Sequence, residues 1–465
     1  MNTKEIKIGL VDADLMDGGT RHPNLALLKI AGFLYDNNIA FELITDSNAD
    51  VSVFTRVYIS KVFSFTKNPA FFEKAINTPD EIRFAVGGTG FYMMESDTNV
   101  KEFRRLRDDD MTRLENDSFL NQFPNIRGNR RKFGIDMAAQ MPYYNLYKSF
   151  VEQEIAKGKK PSHYIDYLNY SIGFLTRGCF RHCAFCVNKF ESTIHPYSKL
   201  EWFLDNERDK NGRLVRPYIY LWDDNFLAAK PEVWRPLLQK LIDTQRPFQF
   251  RQGLDERILA ESEYGEEIAE KLSKCKYHGD YIFAFDHWHD REKIVKALKI
   301  WKHYVSKETK FYVFCGFRLT PTNDDLLYKD VWEVFQRIKI LMQYGCLPYI
   351  MRHEDYHNHP LSNIYVQIAR WCNQPGFFRN LSFWDFCYKN QTFWEKSTLG
   401  IITPPKTYEE FLEDYNNGYY EDKKICLPLR TAIDFLEKFP EHKEELLEMY
   451  NYKLKDLKDP SLWKR

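Results

Sequence analysis

Cys179, Cys183 and Cys186 stand within eight residues of one another in the stretch Thr176-Arg177-Gly178-Cys179-Phe180-Arg181-His182-Cys183-Ala184-Phe185-Cys186. Thiolates at C-x3-C-x2-C spacing on one loop can grip a single metal centre. Cubane iron–sulfur clusters are held by cysteine thiolates, ordinarily four. Three therefore point to a [4Fe–4S] cluster with one iron open to an exogenous ligand. Zinc is the alternative, with His182 or a remote cysteine as fourth ligand, although the paired C-x2-C knuckles usual for zinc are not repeated here. A disulfide framework does not fit nine cysteines spread thinly through 465 residues.

The pattern C-x3-C-x-Φ-C, with Phe185 before the last cysteine, resembles the cluster loop of the radical S-adenosylmethionine (SAM) enzymes. Gly173-Phe174-Leu175-Thr176-Arg177-Gly178 and the upstream Met141-Pro142-Tyr143-Tyr144 resemble the branch with an N-terminal cobalamin-type domain, which also lies close to the methylthiotransferases. The resemblance implies that the open iron chelates the amino and carboxylate groups of SAM. It implies that cluster reduction cleaves SAM to a 5′-deoxyadenosyl radical, with electrons from an external donor such as flavodoxin or ferredoxin.

Periodicity supplies the elements that must position this loop. Strand patterns fall over 171–175, 218–222, 248–253, 281–286, 311–316 and 347–351, and helix patterns over 234–242, 266–273, 291–304 and 331–344. Six β/α units fall short of a full eight-unit barrel and match the partial (β/α)6 barrel of the family resembled. Polar residues cluster at the C-terminal strand ends, where such folds place their chemistry: Asp223, Asp224 and Asn225, then Gln252, then Asp286. The resemblance puts Asp223-Asp224-Asn225-Phe226, in place of a Gly-Gly-Glu form, where the SAM amino group is recognised. It puts Arg251-Gln252-Gly253-Leu254-Asp255 at the third-strand motif and Asp286 near the SAM ribose or the substrate. Carboxylates can accept hydrogen bonds from ammonium and hydroxyl groups, as these roles require. The plainer reading of each Asp and Asn is a helix N-cap after a strand. Phe185 is expected beside the cluster or adenine. No catalytic side chain is identified, and His287, Trp288 and His289 read as loop.

Upstream, residues 1–95 alternate strands (6–12, 40–44, 57–60, 83–90) with a helix over 25–37, which predicts a Rossmann-like, doubly wound α/β domain. Val86-Gly87-Gly88 either admits a cofactor or makes a tight connection. The element order resembles a cobalamin-binding domain, but the usual D-x-H-x-x-G is absent from Asp17-Gly18-Gly19-Thr20-Arg21-His22-Pro23-Asn24. Cobalamin is thus left open, and His22 reads as a loop residue. Residues 96–165 form a connector, with Lys101 to Arg107, Asp108-Asp109-Asp110 and Arg127, Arg130, Arg131 and Lys132 read as solvated charge; a basic groove for a phosphate-bearing substrate is the alternative. The cluster barrel spans 166–355. Residues 356–465 read as a mainly α cap, with helices over 361–372 and 431–438. His353, His357 and His359 match no standard metal site, and Cys372, Cys387 and Cys426 are too dispersed for a second cluster.

Charge balances at 66 basic and 66 acidic residues, which argues against a protein whose whole surface binds nucleic acid and leaves only a local basic patch. No apolar run approaches the roughly 18 residues of a membrane span. The first residues lead directly into a strand pattern with no secretory signal, so reducing cytoplasm is the expected compartment. The function expected is a radical SAM enzyme acting on an unidentified substrate, with methyl transfer among its reactions. Methylthiolation is disfavoured because no cysteine precedes Cys179. The competing class is a non-catalytic zinc or iron–sulfur protein that contacts nucleic acid or a protein partner; it predicts bound zinc and no affinity for SAM.

Overall fold

The computed structural model describes residues 6–18, 22–91, 113–128, 130–186, 188, 191–400, 406–421 and 424–463. The charge runs at 101–110 lie outside the described residues. The chain divides into two units, Met1–Gln252 and Gly253–Arg465.

The first unit opens with a four-stranded parallel sheet of β1 (Lys7–Asp12), β2 (Ala40–Ile44), β3 (Arg56–Ser60) and β4 (Phe84–Gly87), in the order β2-β1-β3-β4. Side chains alternate across a strand, and both faces of this sheet are buried. Ile8 and Leu10 join Leu27, Leu28, Ile30, Phe33 and Leu34 of the helix Leu25–Asp36, while Val11 joins Val57, Ile59, Phe71 and Phe72 on the opposite face. A parallel sheet buried on both faces is in keeping with an α/β fold.

The segment that follows adds to the first of these cores through Leu120, Phe123, Ile135, Tyr144, Tyr147 and Val151. Its close crossing over the helix depends on Gly32, where a Cβ would sit 2.0 Å from the Met141 carbonyl oxygen. Tyr144 then ties Met141-Pro142-Tyr143-Tyr144 to the next sheet: its hydroxyl accepts from Ile172 N at 2.8 Å and donates to Phe203 O at 2.7 Å.

That next sheet is parallel and three-stranded, with β5 (Tyr170–Gly173), β8 (Tyr218–Leu221) and β9 (Phe248–Phe250) in the order β5-β8-β9. Between β5 and β8 lie β6 (Thr176–Arg177) and β7 (His195–Pro196), a short antiparallel pair. The helix Pro231–Asp243 starts with proline in its first turn and buries Trp234, Leu238 and Leu241 at i, i+4 and i+7.

The second unit holds a parallel sheet in the order β10-β11-β12, formed by β10 (Tyr281–Ala284), β11 (Thr309–Cys315) and β12 (Leu347–Arg352). The helix Arg291–Tyr304 lays Trp301 edge-to-face on Tyr281 and Phe283, each with ring centres 4.8 Å apart. The helix Asp324–Gln343 buries Leu327, Val331, Val334, Phe335, Ile338 and Leu341. From Asn363 onward the described residues form only helices, the longest being Phe383–Leu399, which starts with a Ser382/Asp385 capping box and ends on left-handed Gly400. Among the described residues, no helix is long and apolar enough to cross a membrane.

Candidate functional site

The three cysteines sit in a hairpin. Thr176 pairs with Pro196 and Arg177 with His195, and residues 178–194 come between them in the sequence. Gly178 permits the first turn: its φ is +96°, and a Cβ there would lie 2.3 Å from the Thr193 carbonyl oxygen. The returning segment therefore straps directly over the start of the loop. Cys179 N donates to Glu191 O at 2.8 Å, and Cys186 N to Cys183 O at 3.0 Å. All three cysteines are partly exposed, and none of the nine in the chain is in a disulfide. Phe185 is half-buried beside Cys186. Among the described residues, no group of three or more His, Cys, Asp or Glu side chains is already assembled as a metal-holding cluster. The loop offers soft thiolate donors of the kind iron–sulfur and zinc centres take.

The end of β8 reaches into this loop. Asp223, 1% exposed, accepts Leu175 N at 3.1 Å, Thr176 N at 2.6 Å and Thr176 Oγ1 at 2.7 Å. Burial pushes its carboxyl up to about 6 against the pull of the Thr176 and Leu175 bonds, with Asp224 adding to the rise. Asp224 Oδ2 accepts Gly178 N at 2.9 Å and lies 3.5 Å from Arg177 Nε. Asn225 Nδ2 lies 3.5 Å from Cys179 Sγ. Arg177 also pairs with Glu191 at 3.3 Å and stacks its guanidinium over Phe174, 4.3 Å from the ring centre. The structure thus brings Asp223, Asp224 and Asn225 to the cysteine loop, whereas Gln252, two residues past β9, is exposed.

A second group of polar side chains in this unit was not legible from local pattern. Tyr170, Ile172 and Tyr220 make a small core with Tyr218, Trp222 and Leu25 packed on it. His22 sets its ring edge-on to Trp222 at 5.7 Å; its Nδ1 is 2.7 Å from Asp166 Oδ2, and its Nε2 is 2.6 Å from an Arg251 guanidinium nitrogen. Arg251 in turn lies over Tyr220, 4.6 Å from the ring centre. Tyr147 bonds to residues on both sides of His22 in the sequence. Tyr147 Oη donates to Asp12 Oδ2 at 2.8 Å and accepts Asn24 N at 3.0 Å, while Asn24 caps the following helix through Leu27 N at 3.3 Å.

In the second unit, Asp286 lies two residues beyond β10. Burial pushes its carboxyl up to about 6 against the Arg337 and Arg257 guanidiniums. Arg337, 1% exposed, donates to the Phe285, Asp286 and Phe314 carbonyls at 2.9, 2.8 and 2.9 Å. Nearby, Arg257 bridges Asp255 at 2.7 Å and Asp290 at 3.0 Å. Glu256 is buried and accepts Ala284 N at 3.2 Å, and burial holds its carboxyl well above the usual range. His287 is half-buried; burial, and next the neighbouring His289, lower its affinity for a proton. The other histidines are dispersed: His353 Nδ1 accepts Asp355 N, and His359 Nε2 lies 3.1 Å from Asp324 Oδ1.

No protein-family model matches the chain. No curated protein matches it. Among solved structures, it is similar to TsrM from Kitasatospora setae, a radical S-adenosylmethionine methyltransferase with cobalamin and a [4Fe–4S] cluster bound: TM-score 0.45, 12% identity, over 74% of this chain and 72% of that one. It is also similar to OxsB, a cobalamin-dependent S-adenosylmethionine radical enzyme with aqua-cobalamin and S-adenosylmethionine bound: TM-score 0.31, 14% identity, over 99% of this chain and 64% of that one. At these TM-scores neither likeness settles function, which rests on the chain's own residues.

Proposed function

We propose that the chain is a radical SAM enzyme in which Cys179, Cys183 and Cys186 hold a [4Fe–4S] cluster. The observation behind this reading is the cysteine loop itself: three soft donors on a hairpin tip, strapped at Glu191 and Thr193 and gripped from the end of a neighbouring parallel strand. When bound, the cluster and SAM together supply reductive cleavage of SAM to the 5′-deoxyadenosyl radical. The protein's part is to hold and orient. The thiolates fix the cluster, Arg177 and Asp224 stiffen the base of the loop, and half-buried Phe185 offers a ring to shield what binds beside Cys186. In the same reading Gln252 is exposed for contact with SAM, and Asp286 is an acid that burial disposes to keep its proton.

The proposed parsing is a Rossmann-like domain over 1–95, a connector over 96–165, the radical SAM barrel over 166–355 and an α cap over 356–465. The strands β5, β8 and β9 of the first unit and β10, β11 and β12 of the second, which pair as two three-stranded sheets, equal in number the strands of a (β/α)6 barrel. Methyl transfer is the reaction class to test first, with an external reductant such as flavodoxin or ferredoxin and a reducing cytoplasm as the setting. A cobalamin held through His22 does not fit, because Arg251 and Asp166 already lie against the two ring nitrogens.

The test is spectroscopic. Anaerobically reconstituted and reduced protein should give the EPR signal of a [4Fe–4S]+ cluster, and adding SAM should alter that signal as the open iron gains a ligand. Zinc in place of iron, or a spectrum indifferent to SAM, would overturn the proposal and leave a non-catalytic binding protein.

A further inference from the structure

Three consecutive side chains at the end of β8 hold almost every residue that leads into the first cysteine. Asp223 takes Leu175 and Thr176, Asp224 takes Gly178, and Asn225, 3% exposed, aims its amide Nδ2 at Cys179 Sγ from 3.5 Å. Both carboxylate oxygens of Asp223 are occupied by these donors.

We infer that Asp223-Asp224-Asn225 is a buckle on the cluster loop, and that Asn225 is a positioning residue that sets the electron affinity of the cluster through a hydrogen bond to the Cys179 sulfur. The inference rests on the radical SAM reading above and moves the triplet's principal contact from SAM to the thiolate loop. Reduction adds one electron, from the external donor, and part of that charge resides on the thiolate sulfurs. An N–H donor stabilises the more negative state and raises the potential; hydrogen bonds to cluster sulfurs and local charge are recognised determinants of that potential. Asp224 acts in the opposite sense, because its carboxylate sits one hydrogen bond from Gly178, the residue before Cys179. The two neighbours therefore carry opposite signs.

The experiment is an anaerobic potentiometric titration of the reconstituted full chain, followed by EPR without SAM. Asn225→Leu removes the donor at similar volume. Its midpoint should fall by about tenfold in the oxidised-to-reduced ratio at fixed potential, about 59 mV for a one-electron couple. Asp224→Asn keeps an acceptor for Gly178 and loses the charge, so its midpoint should rise. A purely structural role for the triplet would not produce shifts of opposite sign. An unmoved or raised midpoint in Asn225→Leu overturns the inference. If that variant retains no cluster, Asn225→Ala, which lacks the N–H and adds no charge, must show the same fall. If neither retains one, Asn225 is needed for assembly alone and the inference is overturned. A parent protein that takes up no iron overturns the radical SAM reading itself, whereas a parent that cleaves SAM while its variants keep the parental midpoint overturns only the buckle.

Discussion

Gly178→Ala should loosen the cysteine loop without unfolding its surroundings. Two costs can be worked from the geometry. A side chain at φ +96° pays the left-handed penalty, roughly 1–2 kcal/mol. The new Cβ would also fall 2.3 Å from the Thr193 carbonyl oxygen, a backbone atom, so the 191–193 strap must move. That strap supplies the Glu191 carbonyl that accepts Cys179 N at 2.8 Å, and losing this bond adds about 0.5–1.5 kcal/mol. The sum is about 1.5–3.5 kcal/mol, which corresponds to about tenfold to a few hundredfold in an equilibrium constant. The assay is iron retention by reconstituted protein against a graded chelator, with the amide exchange of Cys179 measured in parallel. Retention should fall about tenfold or more and the Cys179 amide should exchange faster, while the thermal midpoint stays near the parent value because the opening is local. Parental iron retention would refute the reasoning, since the strap would then not be holding the loop in its metal-binding form.

Cys183→Ala should abolish cluster assembly, read as loss of iron and of visible absorbance after reconstitution. Asp223→Asn tests the buried carboxylate: its folded-state pKa is raised to about 6 from 3.8, so the folded state keeps a proton the unfolded state has released. The stability contributed is then greatest below about pH 4 and falls as pH rises through about 6, by roughly 3 kcal/mol in all. The stability difference between parent and variant should therefore shift towards the parent as pH is lowered from 7 to 4, and a flat difference in denaturant titrations would contradict this. Arg337→Met leaves three carbonyl oxygens in the second unit without their donor, and should lower stability by about 3–5 kcal/mol in chemical denaturation.

Much of the architecture was legible because it is written in local period. The strand over 40–44 and the helix over 291–304 coincide with the observed elements. The strand patterns over 248–253 and 281–286 run past the observed ends: β9 stops at Phe250 and β10 at Ala284, because the chain must turn there, at Gly253 with φ +90° in the first case. The helix Asp324–Gln343 begins seven residues ahead of its apolar pattern, at a cap formed by Asn323 accepting Leu326 N. The helix Phe383–Leu399 is not legible from period because Phe383, Trp384, Phe386, Tyr388, Phe393 and Trp394 blur it with residues that favour strands, although Ser382, Asp385 and Gly400 mark its ends.

The site divides in the same way. Cysteine spacing locates the loop, but the hairpin that closes it pairs Arg177 with His195 across seventeen intervening residues, beyond any periodic signal. Asp223, Asp224 and Asn225 stood out as strand-end polar residues; which atoms they hold depends on a neighbouring strand. His22 read as loop because its partners, Asp166 and Arg251, lie 144 and 229 positions away in sequence.

The most direct test of the central claim is chemical: quantify 5′-deoxyadenosine formed by the anaerobically reconstituted chain with dithionite and SAM. The account predicts product that requires both reductant and iron and that vanishes in Cys183→Ala. Iron-loaded, reduced protein that yields none, or product undiminished in Cys183→Ala, would contradict it.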